Sequence, residues 1–531
     1  MSSTAPGTET KPRNLGDRML NGIERIGNKL PDPFMLFLIL FLVVAVVSTA
    51  MSWAGVTVRI PGSDEITTVK GLFTAEGMTW LTVNLGENYL GFPPLVTVLP
   101  ILLAVGVAEK SGLLAAIIRK VFGSAPRWML PYAVGVVGVL GSIMADAAFV
   151  VIPPLAALVF KAAGRHPVAG LLGGFAAAGA GYSTSMFVTS LDALFAGITT
   201  AVTGSLPNPG SPVNPVSNYF FNFASSIILM LLAGFIIDKV LEPRLNRQGV
   251  PTVEVEADED EGAVREEKQA ALSAELSPVE KRGILWAVLV GCVLAAVIVV
   301  AVVLPDSPWR NEEGGFLPKS PLLSSIVFIV FAMFVVPGLV YGKVVGTITG
   351  PKDVPRLMGM AVKDMTSFLV LAFILGQFIA LFNWSGIGQW IAVAGATGLE
   401  SIGLTGFPAI LGFILLASLL NLFIISGSAM WTLMAAVFVP MFALIGFEPA
   451  FVQGAFRVGD SATQVITPLN PYMIVLLTML RKYEPGAGLG TLIARMLPFV
   501  VPFWIAWVVV LSVFYFADLP LGPGNGIFLS R

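Results

Sequence analysis

The 531-residue chain reads as an all-α integral membrane protein with nine spans, two re-entrant hairpins and two broken helices. Three observations predict this. Hydrophobic residues make up 56% of the chain and charged ones 12%, against about 25% charged in a soluble domain. Several apolar runs reach the ~18 residues that suggest a membrane helix. Lysine and arginine collect in a few segments between those runs, which orients them by the positive-inside rule.

Residues 1–32 form a polar tail with Lys11, Arg13, Arg18, Arg25 and Lys29, expected in the cytoplasm. Residues 33–93 supply a first span, Pro33 to about Trp53, and an external loop. That run is longer than a signal-peptide core and lacks an A-x-A site, so it is read as retained. Residues 94–243 form a first repeat, opening with a span over about Pro94–Ala108 that returns to Lys110, Arg119, Lys120 and Arg127. The run from Met129 to Phe160 is followed by Lys161 and Arg165. One crossing would leave those cations outside. The run therefore reads as a hairpin over about 129–160 with its tip at Gly141–Ser142. A broken span over about 167–203 goes out, and Tyr219–Val240 returns.

Residues 244–283 read as an acidic cytoplasmic linker and 284–363 as scaffold spans. Residues 364–517 form a second repeat. No lysine or arginine lies between Asn383 and Ala455, so this stretch turns on the outside. It holds a second hairpin over about 404–446, entered from outside, with its tip at Ser426–Gly427–Ser428. A broken span over about 449–480 goes in, a last span follows, and residues 518–531 form an external C-terminal tail.

The two hairpin-plus-break units match each other. Pro154 and Pro440 each lie thirteen residues after a tip glycine, Gly141 and Gly427. "STSMFVTSLD" from Ser183 aligns with "SATQVITPLN" from Ser461, sharing Ser, then Thr, Leu and Asp192 or Asn470. The charge count gives the two units opposite sidedness. That is the inverted-repeat plan of a secondary transporter, with breaks and tips converging near the bilayer midplane.

"SGSAMW" (Ser426–Trp431) and "RVGDSATQVITPLNPY" (Arg457–Tyr472) resemble the p-aminobenzoyl-glutamate transporter (AbgT) family, as does "GYSTSMFVTSLDALFAGIT" (Gly181–Thr199). The resemblance runs across nearly the whole chain. It implies a homodimer in the bacterial cytoplasmic membrane that takes up p-aminobenzoyl-glutamate-like aromatic carboxylates, with linked export of sulfonamide antimetabolites. It also implies functional positions at Asp192, Asn421, Ser428, Trp431, Pro449, Arg457, Asp460 and Pro468.

Each position has a structural alternative. Arg457 and Asp460 share a helix face three residues apart. They either brace the break as an ion pair, or Arg457 takes a substrate carboxylate while Asp460 couples an ion. Trp431 is either a packing wedge or a surface on which an aromatic ring stacks. Asn421 and Ser428 bind substrate or a cation, or satisfy the tip backbone. Pro449 and Pro468 shape helix ends. Asp192 and Asp146 are the carboxylates of the first repeat, and Asp146 is a candidate proton carrier. Asn421, Ser428 and Asn470 are the oxygen-bearing candidates for sodium. The coupling ion is H+ or Na+.

The remaining signals are weak. Cys292 has no partner for a disulfide and His166 is the only histidine. No nucleophile–histidine pair, phosphate-binding loop or metal-ligand cluster is present, so neither an enzyme nor a cofactor is expected. The net charge of −2 argues against nucleic acid. A proton-driven exporter with no uptake role and a passive channel are the competing readings.

Overall fold

The computed structural model describes residues 33–59, 66–144, 147–204, 206, 208–253, 276–317, 320–401, 403, 405–424, 426–467 and 470–529. The N-terminal tail, most of the acidic linker, Asp146 and Pro468 lie outside the described residues. Among the described residues the architecture is helical, apart from a two-stranded antiparallel ribbon of Thr57–Arg59 and Ile66–Thr68.

The first part of the chain forms α1 (Pro33–Trp53), α2 (Ala75–Leu90) and α3 (Pro93–Lys110). Amphipathic α4 (Leu113–Ser124) follows. Helix α2 lies where the sequence suggested only an external loop. It has a Thr74 cap and Glu76 in its first turn, both favourable at a helix start. Next come α5 (Leu130–Leu140), a 3-10 turn (Gly141–Met144) and α6 (Ala147–Ala162). The first broken helix is α7 (Pro167–Ala180) and α8 (Ser190–Thr203). Helix α9 (Tyr219–Arg247) carries a π turn at Ile237–Leu241.

In the second half, α10 (Pro278–Val303) and α11 (Ile326–Val345) pair with each other, and α11 also packs on α3. Amphipathic α12 (Asp353–Asp364) lies on α3, where Ala361 sits against Gly106. Helix α13 (Thr366–Trp384) packs on α1 and α2. Helix α14 (Ile387–Ser401) meets α15 (Gly406–Leu420) at a 119° bend. Then come α16 (Gly427–Leu444), the second broken helix α17 (Pro449–Thr463) and α18 (Pro471–Arg481), and the long α19 (Leu489–Phe516). Helices α12 and α14 were not anticipated as elements. Among the described residues eight helical stretches, α2 and α3 counted as one, are long and apolar enough to cross a membrane, or nine if the bent α14–α15 pair is one span.

The two broken helices run through the core in opposite directions. Helix α7 starts at His166, whose N–H donates to Glu242 Oε1 (3.0 Å) near the end of α9. Beside it, Arg165 pairs with Asp238 (2.5 Å) and with Glu242. The charge of Arg495, from the start of α19, also reaches the His166 ring. Helix α17 starts at the opposite end. Glu448, just before it, accepts from the Ser211 N–H (3.0 Å), beyond the end of α8, while its own N–H donates to Ile527 O (2.9 Å). Helix α18 then finishes near Glu484, which pairs with Arg495 (2.5 Å) at the His166 end.

The packing repeats with the same inversion. Helix α5 lies on α7 as α15 lies on α17, and α6 lies on α7 as α16 lies on α17. Each second arm also reaches across to the other unit, α6 to α18 and α16 to α8. Glycine makes the α15–α17 approach close: a Cβ on Gly459 would stand 2.7 Å from Ile414 O and 3.1 Å from Ser418 N.

Gly459→Leu should therefore push α15 off α17 and cost about 1–3 kcal/mol, as overpacking does. Gly412→Leu, on the same helix pair but with nothing within 4 Å of its Cβ, should leave stability unchanged. Thermal melts of the purified variants in detergent check this. Equal melting points would place the close contact elsewhere.

Candidate functional site

The breaks form where local chemistry ends one helix and starts another. In the first unit α7 ends at Gly181, and Thr189 opens α8 with a reciprocal cap. The Thr189 Oγ1 accepts from the Asp192 N–H, and Asp192 Oδ2 accepts from the Thr189 N–H (2.8 Å) and hydroxyl (2.8 Å). In the second unit α17 tightens into a 3-10 turn over Gln464–Ile466. Asn470 caps α18 by accepting from the Tyr472 N–H (3.0 Å). The aligned serines, Ser183 and Ser461, touch hydroxyl to hydroxyl. Equivalent residues of a two-fold arrangement meet in this way only at its axis. The repeat seen in the sequence is thus a spatial one, and the breaks meet back to back.

Arg457 of α17 reaches across that axis and is 1% exposed. Its Nη1 pairs with Asp192 Oδ1 (2.8 Å) and donates to Ser183 O (2.7 Å). Its Nε donates to Asn218 Oδ1 (3.1 Å), and its Cζ lies 5.2 Å from the centre of the Phe195 ring. A charge near the bilayer centre costs roughly 2.5–3.5 kcal/mol on insertion scales. Hydrogen bonds to a charged group contribute about 1.5–3 kcal/mol each, so these contacts offset that cost.

Asp192 is equally well provided for. One oxygen takes Arg457 and the Asn222 amide (3.0 Å); the other takes the two Thr189 donors. One of the two sequence readings was an ion pair within α17, between Arg457 and Asp460. The structure instead pairs Arg457 with Asp192 of the other repeat. The reason is that the broken first unit presents a pre-capped carboxylate to the guanidinium, whereas Asp460 projects elsewhere.

Asp460 is the opposite case. It is 0% exposed, and neither carboxylate oxygen has a hydrogen-bond partner among the described residues. Its Oδ2 lies beside Gly427, at the start of α16, where a Cβ would stand 3.3 Å away. Its carbonyl accepts from Asn421 Nδ2, which also donates to Thr463 Oγ1 (3.1 Å). Asn421 Oδ1, Gln464 Oε1 and Thr184 Oγ1 are likewise buried without partners. Buried polar atoms are nearly always hydrogen-bonded. A buried carboxylate with no donor among the described residues suits a proton or a hard cation bound by oxygen. No cluster of three or more acidic, histidine or cysteine ligands occurs among the described residues.

The other expected positions fall as follows. Trp431 is fully buried. Its ring packs on Phe456 (4.6 Å) and near Phe195 (6.4 Å), and Nε1 donates to Thr199 Oγ1 (3.1 Å). Its faces are therefore occupied by protein in this conformation. The second tip lies earlier in the chain than the sequence suggested. The turn begins at Asn421, and Ser426 caps α16 by accepting from the Ala429 N–H (3.3 Å), which puts Gly427 and Ser428 inside the first helical turn. Ser428 hydrogen-bonds Ser426 (3.0 Å). Pro449 is the first residue of α17 and shapes its start. Gly141 packs against Ile152 and Ala148 of α6, and Ser142 donates to Val139 O (3.0 Å); none of these contacts reaches Arg457. Of the cation candidates, Asn421 bonds the Asp460 carbonyl and accepts from Thr467 Oγ1 (3.1 Å), while Asn470 caps α18 and donates its N–H to Thr467 O (3.1 Å).

Asn218, Asn222 and Gln453 were missed. Gln453 hydrogen-bonds Asn218 (2.8 Å) and Thr199 (2.6 Å), tying the Trp431 contact to the Arg457 one. A signal existed, since Asn218 and Asn222 sit four apart at the start of an apolar run. An uncharged amide nevertheless reads as a cap until its partner is seen.

The inverted broken helices and the buried charged centre between them define a polytopic helical transporter. The chain belongs to the AbgT putative transporter family, which it matches over residues 18–529. It is 37% identical to the p-aminobenzoyl-glutamate transport protein of Escherichia coli (strain K12) over 507 residues, 96% of each chain. Two solved structures superpose closely. The Alcanivorax borkumensis YdaH transporter gives a TM-score of 0.85 at 35% identity, covering 93% of this chain and all (100%) of the other. Neisseria gonorrhoeae MtrF, described within a class of antimetabolite efflux pumps, gives 0.86 at 37%, covering 96% of this chain and 100% of its own.

Removing one partner of a buried ion pair typically costs about 3–5 kcal/mol. Asp192→Ala should cost that much in a detergent melt, and adding Arg457→Met should recover most of it. A double variant as unstable as the single one would show that the pair does not hold the breaks together.

Proposed function

We propose that the chain is a secondary active transporter of small aromatic carboxylates of the p-aminobenzoyl-glutamate type, coupled to a proton or sodium ion carried at Asp460. One observation carries this reading. Among the described residues two buried carboxylates lie at the meeting of the breaks, Asp192 saturated and paired with Arg457, Asp460 without a hydrogen-bond partner. Arg457 is the group able to exchange its protein carboxylate for a substrate carboxylate, because a guanidinium takes either by the same planar geometry. Asp460 is the group whose charge needs an incoming proton or cation, since an uncompensated buried charge costs several kcal/mol. The curated relative at 37% identity is named for p-aminobenzoyl-glutamate, which carries the required carboxylates.

The positive-inside count supports an N-terminus in the cytoplasm and a C-terminus outside, in a bacterial inner membrane. In this reading the protein works as a homodimer in which the two broken units move against scaffold spans that include α10 and α11. A second reading, export of sulfonamide-type antimetabolites, is supported by the likeness to MtrF.

Purified protein in proteoliposomes, with sodium and pH gradients imposed separately, tests the reading. Labelled p-aminobenzoyl-glutamate should accumulate uphill under one of the two gradients. Accumulation under neither would leave a passive channel. Asp460→Asn should abolish gradient-driven accumulation while leaving a folded protein, and an unchanged ion dependence would remove Asp460 from coupling.

A further inference from the structure

Helix α9 belongs to neither broken unit, yet it grips both ends of the ion pair. Asn218 and Asn222 stand four residues apart, on one helix face, and are 1% and 4% exposed. Asn218 Oδ1 accepts from Arg457 Nε (3.1 Å), and its Nδ2 donates to Ala450 O (2.7 Å) on the same helix as Arg457. Asn222 Nδ2 donates to Asp192 Oδ1 (3.0 Å). The start of α9 is in turn held by the C-terminal segment: the N–H groups of Phe220 and Phe221 donate to Leu521 O (2.8 and 3.1 Å).

We propose that Asn218 and Asn222 are positioning residues for transport, which keep Arg457 and Asp192 in place while their ion pair is open. This rests on the transport reading above. For a substrate carboxylate to reach Arg457, the Nη1–Asp192 contact must open. Asp192 Oδ1 then loses its cation but keeps the Asn222 amide; Arg457 loses its anion but keeps Asn218 on Nε. Each charge retains a hydrogen bond from a third helix, so the pair recloses in register once cargo leaves. Both amides are uncharged, so they serve the carboxylate and the guanidinium without competing for either.

Asn222→Asp is the informative change. It is isosteric, but replaces the donor by a second carboxylate facing Asp192, and only its protonated form can donate as the amide does. Other titratable groups near this position are Arg457 and Asp460 of α17. Helix α7 carries none. Helix α5 offers Tyr132, which packs at Gly234 toward the far end of α9. Helix α19 offers Tyr515, whose ring lies against Phe447 and Phe451, and Arg495 at the His166 end.

The measurement is exchange of labelled p-aminobenzoyl-glutamate in proteoliposomes, with equal pH on both sides and no ion gradient. At pH about 8, Asn222→Asp should exchange at least about tenfold more slowly than wild type, a loss of about 1.4 kcal/mol. At pH about 5.5 it should recover to within about threefold, while Asn222→Leu stays slow at both. A constant ratio of Asn222→Asp to wild type across that range would overturn the proposal. Absence of exchange by the wild type would instead sink the transport reading. If the aspartate variant does not purify as a monodisperse protein, KM decides. It should rise about tenfold in Asn222→Leu and less in Asn222→Ser, which keeps a shorter donor. Equal KM values for wild type, serine and leucine would overturn the proposal as well.

Discussion

A guanidinium sealed inside a membrane protein sets the terms for everything around it. Arg457 is 1% exposed and cannot shed its charge, so its donors must find acceptors within reach. They find them on two separate pieces of chain, the first broken helix through Ser183 O and Asp192 and the start of α9 through Asn218, while the ring of Phe195 lies against the guanidinium. A residue of the second repeat is thereby solvated by the first. The two halves cannot separate without stranding that charge, which makes the repeat interface a matter of electrostatics as well as packing.

The two aspartates show how one small site holds two chemistries. Asp192 is enclosed by four donors, two of them from Thr189 of its own capping box. It gains nothing from a further ligand while the pair is closed. Asp460, three residues from Arg457, has no donor among the described residues. Position in the fold separates them, since both are buried carboxylates. One sits where a helix start supplies N–H groups, the other on the flank of a continuous helix whose N–H groups are already used. In the proposed transport cycle the first would yield its cation to cargo, and the second would take up the driving ion.

Support for this centre comes from outside the repeats. The C-terminal segment crosses the end of the molecule opposite His166. It holds Phe220 and Phe221 through Leu521 and the α16–α17 corner through Ile527, while Phe447 stacks on Phe528 (5.7 Å). Glu448 binds Ser211 at the same corner. Backbone groups thus tie α9, the end of the first broken helix and the start of the second into one cap. The asparagines of α9 inherit their placement from it.

Much of this was legible in the sequence. Apolar runs marked out most of the helical segments, and the lysine and arginine counts showed that the two units face opposite ways. Ser183 and Ser461, matched in the sequence as repeat equivalents, meet hydroxyl to hydroxyl at the pseudo-two-fold axis. These features depend on local composition and on distance along the chain, which a sequence displays directly. The helices α2, α12 and α14 were not legible, because each is placed by packing on a neighbouring helix, α2 on α13, α12 on α3 and α14 on α16, and not by a run long enough to span. Nor was the partner of Arg457. A helical spacing of three residues pointed to Asp460, yet Asp192, 265 positions away, was closer in space and already oriented by Thr189. Sequence spacing gives the face of a helix; only the packed structure decides which other helix that face meets, because ion pairs form by distance in three dimensions and burial removes the water that would otherwise compete.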